Sequence, residues 1–105
     1  MARQKGEKRM KAFKEKVEKI LTKLGGKKDG QFYEWTVPTK AGGLFVSIHE
    51  RPSEIFSIFC RFDDVEKAKE LMGKDSVSGG GKWNFHMSDE KEILELFEGN
   101  LKNIQ

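Results

Sequence analysis

Two sets of side chains in this 105-residue chain have the types and spacing to do chemistry. The first is a run of cations near the N-terminus. Lys8, Arg9, Lys16, Lys19 and Lys23 gather into one basic stripe if residues 7–24 form a helix. Cations presented in this way neutralise phosphates, and the resulting binding is salt-sensitive and indifferent to base sequence. The second set comes from strand alternation, which places Phe32, Phe45, Ser47, His49, Phe59, Arg61, Lys82, Asn84 and His86 on one face of a sheet. Aromatic rings interleaved with cations, here Arg61 and Lys82, are how a sheet stacks and holds single-stranded nucleic acid. Burial competes with that use. Exposed apolar patches are uncommon, and three helices are available to cover these rings, so burial is the expectation.

Other constellations carry less. His49, His86, Asp63 and Asp64 show no helical ligand spacing, so neither a metal nor a cofactor is expected. Asp63-Asp64 stands at a strand-to-helix junction, where a carboxylate caps the helix. Cys60 is mid-strand in an apolar setting, which describes an inert thiol, and a lone Cys excludes an intrachain disulfide framework. Ser78-Gly79-Gly80-Gly81-Lys82 lacks the context of a phosphate-cradling P-loop, since Trp83 and a strand follow it rather than a helix. It reads as a loop that could gain order on binding. No Ser-His-Asp arrangement assembles, and the chain is small for a substrate pocket, so the reading is non-enzymatic. A separate surface is acidic: Asp89, Glu92 and Glu95 on the last helix, with Glu90 and Glu98 nearby, could occupy a basic groove on a protein partner.

These side chains need elements to position them. Met10, Phe13, Val17, Ile20, Leu21 and Leu24 follow the 3.6-residue period, and Gly25-Gly26 ends the helix. Residues 1–6 lack periodicity and read as a frayed tail. Strands follow over Gln31–Val37, Leu44–Glu50 and Ile55–Phe62, with breaks at Pro38 and at Arg51-Pro52-Ser53. Ile55–Phe62 is apolar on both faces, as strands at the centre of a sheet are. Asp63-Asp64 opens a short helix that closes at Gly73, Lys82–Met87 is a fourth strand, and Ser88 is the expected cap of the last helix. The expected fold is therefore α+β, in the order α-β-β-β-α-β-α, with a mostly antiparallel four-stranded sheet packed with helices in a single domain over 7–105.

Charge is distributed unevenly along this order. Residues 1–28 hold eleven Lys and Arg against three Glu, a net of +8, and the remaining residues carry a net of −5. A basic segment joined to a mildly acidic body points to nucleic acid or another anionic surface. No apolar run reaches the roughly 20 residues of a membrane span and the N-terminus has no apolar leader, so a cytoplasmic location without membrane partners is expected.

Three segments carry a resemblance: Gly43-Leu44-Phe45-Val46, Ser57-Ile58-Phe59-Cys60-Arg61-Phe62-Asp63-Asp64 and Gly81-Lys82-Trp83-Asn84-Phe85-His86. Over residues 43–86 the chain resembles small uncharacterised proteins of phages and other mobile elements. The resemblance implies context, because such genes often encode nucleic-acid-binding accessories or inhibitors of host defence proteins. It assigns no residue a role. The expected function is binding of nucleic acid through the basic helix, with inhibition of a host protein through the acidic body as the alternative.

Overall fold

The computed structural model describes residues 2–28, 33–48, 55–73 and 75–105, with side chains from Arg9 onward. The chain is α+β, a five-stranded antiparallel sheet with helices. Helix α1 spans Ala2–Lys23, followed by strands β1 (Lys27–Lys28), β2 (Glu34–Thr39), β3 (Gly42–Ser47) and β4 (Phe56–Phe62). Helix α2 (Val65–Met72), strand β5 (Phe85–Met87) and helix α3 (Glu90–Asn103) complete the order. The strands lie side by side as β1-β2-β3-β4-β5, every neighbouring pair antiparallel, so β4 sits inside the sheet as its doubly apolar sequence requires.

One face of this sheet is the core. Trp35 and Val37, Leu44 and Val46, and Phe56, Ile58, Cys60 and Phe62 alternate inward along β2, β3 and β4 and are buried. Phe13, Val17 and Leu21 of α1 and Ile93, Phe97 and Leu101 of α3 close over them, all fully buried. Rings knit the layers together: Phe13 lies 4.7 Å from Phe56, and Trp83 lies 4.8 Å from Phe85 and 6.0 Å from Phe97. The C-terminus ties α1 to the sheet, because Gln105 Nε2 donates to Leu24 O and Pro38 O, both at 2.9 Å.

Several boundaries differ from the sequence reading, each for a local reason. The helix begins at Ala2, so it takes in residues 2–6 that read as a tail. The two-residue β1 adds a fifth strand, and its Lys27-Lys28 has no apolar alternation by which to read it. Pro38 falls inside β2 instead of ending it. β1 pairs with β2 only at Trp35 and Thr36, so at Pro38 the outer edge of β2 has no strand that needs a donor. The last strand is shorter than Lys82–Met87, because Asn84 Oδ1 accepts from Cys60 N at 3.2 Å where a ladder carbonyl would otherwise stand. Asp89, not Ser88, caps α3, its carboxylate accepting from Glu92 N at 3.1 Å. Asp64 caps α2 in the same way, accepting from Lys67 N at 3.1 Å, and Gly73 closes that helix at φ +91°.

Candidate functional site

The other face of the sheet decides where chemistry can occur. Pairing sets Thr36 opposite Phe45, Phe45 opposite Arg61, and Arg61 opposite Lys82, so four side chains form one row across four backbone segments. Directly opposed residues have Cβ atoms about 4.5–5.5 Å apart, within reach of one another. The adjoining row holds Glu34, Ser47 and Phe59, with Asn84 beside Cys60. A third holds Ser57 opposite His86, their Oγ and Nδ1 2.9 Å apart. That hydrogen bond fixes the imidazole, which meets Phe59 edge-on at 5.3 Å.

Strand alternation thus brings Phe45, Ser47, Phe59, Arg61, Lys82, Asn84 and His86 together as read from the sequence, while Phe32 and His49 lie outside the described residues. The expected burial does not hold for Phe45. α1 and α3 both pack on the opposite side, α2 borders this face through Val65 beside Phe45 and Arg61, and Ser47 and Ser57 on it are buried. Phe45 keeps 39% of its surface in solvent, Phe59 is half-buried, and Arg61, Lys82, Asn84 and His86 are exposed. No ion pair or side-chain hydrogen bond engages Arg61 or Lys82 among the described residues. These two guanidinium and ammonium groups are therefore available to an anion from outside.

The glycine-rich loop supports this row. Ser78 N donates to Lys82 O at 3.0 Å, Lys82 N to Ser78 Oγ at 3.0 Å and Gly81 N to Ser78 O at 2.9 Å, closing a tight turn. Gly81 adopts φ +80°, and a Cβ there would stand 2.8 Å from Val65 Cγ2, so only glycine lets the turn pack beneath α2. Lys82 is thereby held in register with Arg61.

The basic stripe lies on α1, on the side of the sheet opposite this row, and structural contacts engage Arg9 and Lys16 of it. Lys16 Nζ binds Glu90 of α3 at 2.6 Å, and the Arg9 guanidinium lies 5.1 Å from the centroid of the Phe56 ring. Lys14, only 5% exposed, lies 4.1 Å from the Tyr33 ring centroid. Lys19 and Lys23 are exposed, beside Glu15 and Glu18, and the Lys8 side chain lies outside the described residues. The basic helix and the Arg61–Lys82 pair are two surfaces, not one.

The acids of α3 are also partly engaged. Asp89 is the cap, Glu95 faces Lys91 at 4.0 Å, Glu98 faces Lys102 at 3.7 Å, and Glu92 is exposed. Burial pushes the Cys60 thiol well above its ordinary value, which keeps it protonated and unreactive. Among the described residues no three His, Cys, Asp or Glu side chains converge as metal ligands, and no helix is long and apolar enough to cross a membrane. No protein-family model, curated protein or solved structure matches the chain.

Proposed function

We propose that this protein is a non-enzymatic binder of single-stranded nucleic acid, and that its contact surface is the open face of the sheet rather than the basic helix. The observation that carries this reading is the Thr36–Phe45–Arg61–Lys82 row, in which an exposed ring lies directly opposite an unpaired guanidinium. A base stacks on a ring whatever its identity, and cations one and two strand spacings away on the same side take neighbouring phosphates. Phe59 offers a second ring two residues from Arg61 along β4. A duplex hides its base faces, so it would meet only the charge. The acidic α3 surface, the alternative site for a host protein, is the weaker candidate because Asp89 and Glu95 have partners within the chain.

Fluorescence anisotropy with labelled oligouridine, oligothymidine and a duplex of equal length tests this, titrated across salt. Single strands are expected to bind, to weaken as salt rises, and to outcompete the duplex. Charge reversal at Lys19 and Lys23 should leave this binding within about twofold, since α1 is on the far side. Absence of single-strand binding at low salt, or its loss on that charge reversal alone, overturns the assignment.

A further inference from the structure

The open face has a deeper feature at one end. Beside Phe45, a cleft of about 530 Å³ opens between Thr36, Gly43 and Arg61 on the sheet and Asp63 and Gly80 at its rim. Its size falls within the about 300–1,000 Å³ of small-ligand sites. A glycine leaves the floor open. Gly43 O accepts from Asp63 N at 2.9 Å, which puts the two residues side by side, and a Cβ at Gly43 would meet only Thr36 Cγ2, at 3.6 Å. Arg61 near the end of β4 and Asp63 just past it both line the cleft. No ion pair joins them, and among the described residues no side-chain hydrogen bond engages either one.

From this arrangement we infer that the cleft is a guanine-selective subsite, an inference that rests on the single-strand reading above. A base entering the cleft stacks against Phe45 and presents its edges to a carboxylate and a guanidinium at once. Guanine meets both demands. Its N1–H and N2 amino group are adjacent donors for the two oxygens of Asp63, and its O6 and N7 are adjacent acceptors for the fork of Arg61. Adenine and cytosine each bring one amino group without a second donor beside it, and uracil brings one imide N–H flanked by carbonyls that a carboxylate repels. The site therefore discriminates by pairing as well as by shape.

The test uses anisotropy with a labelled oligouridine of about eight nucleotides and the same strand carrying one central guanosine, inosine or 7-deazaguanosine. The guanosine strand is expected to bind about tenfold more tightly than the all-uridine strand. Inosine, lacking the N2 amine, and 7-deazaguanosine, lacking N7, should each lose part of that gain. In the protein, Asp63→Asn removes the carboxylate and Gly43→Val fills the cleft. Both should bring the guanosine strand down to the all-uridine level measured with the same variant, so that the preference between the two strands disappears. If wild type binds the two strands alike, or Asp63→Asn keeps the preference, the subsite is refuted and the stacking face stands. If neither strand binds, both readings fall together.

Discussion

Truncating Phe45 to Ala separates a residue that binds from one that only packs. The ring is 39% exposed and stands outside the core cluster, so its loss opens no cavity in the core. What it loses is cross-strand contact with Thr36 and Arg61, and such pairs contribute about 0.2–1 kcal/mol each. Stability should therefore fall by about 1 kcal/mol, a Tm change of about 4–8 °C in a domain of this size. Binding should suffer more, because a base stacked on an aromatic side chain is worth about 1–3 kcal/mol, or about 5- to 150-fold in Kd. Phe97→Ala is the control. That ring is fully buried against Trp83 and Phe85, and its truncation should cost about 3–5 kcal/mol of stability. Any fall in binding by Phe97→Ala should then track the unfolded fraction and vanish at a temperature where the variant is folded. Urea denaturation and anisotropy titration on the same preparations give both numbers. A folded Phe45→Ala protein that binds oligouridine as wild type does would refute the stacking face.

Other substitutions read the remaining parts of the structure. Arg61→Ala and Lys82→Ala should each weaken oligonucleotide binding and reduce the slope of log affinity against log salt by about 0.7, measured over a salt series. Asp89→Ala should destabilise the fold by about 0.5–2 kcal/mol in thermal melts, whereas Ser88→Ala, outside the cap position, should stay within about 0.5 kcal/mol. Cys60 makes stability depend on pH. Burial raises its folded value, so the folded chain retains a proton that the unfolded chain releases above the ordinary thiol value of 9.0. That contribution is complete below this pH and is lost as pH climbs through it toward the raised folded value. Urea midpoints of wild type relative to Cys60→Ala should hold constant near pH 7 and fall above about pH 9, and a flat difference would contradict the buried thiol.

Which residues share a face was legible in the sequence, because strand alternation does not depend on what lies above the sheet. Phe45, Phe59 and Arg61 had to point the same way once β3 and β4 were recognised. Their exposure was not legible. β4 has apolar residues on both sides, and Phe59 gives the same signal whether its face is covered by a helix or by a ligand. The answer lies in where α1 and α3 pack, and both chose the face where Trp35, Val46 and Ile58 offer the continuous apolar surface. The cleft was harder still to find. Its floor is a missing side chain at Gly43, and a glycine beside a turn reads first as a turn residue. Asp63 read as a helix cap, but Asp64 performs that task, which leaves the Asp63 carboxylate at the rim.

The charge asymmetry of the chain takes on a different meaning in three dimensions. The N-terminal excess of cations suggested a surface for phosphates, yet several of those cations hold α1 in place: Lys16 on Glu90, Lys28 on Glu18 at 3.8 Å, Lys14 over Tyr33 and Arg9 over Phe56. An exposed pair of this kind stabilises by about 0–1 kcal/mol, but together they orient a helix whose apolar face supplies the larger energy. A phosphate responds to the charges within a Debye length, about 10 Å at 0.1 M salt, and not to the sum over a segment. Within that distance the cations that matter are those without an internal partner. Arg61 and Lys82 meet this condition inside the stretch whose net charge is negative, and they follow the exposed Phe45 ring in one row. Lys19 and Lys23 on α1 also lack an ion pair among the described residues, so the sheet differs from the helix in setting its unpaired cations in one row with an exposed ring.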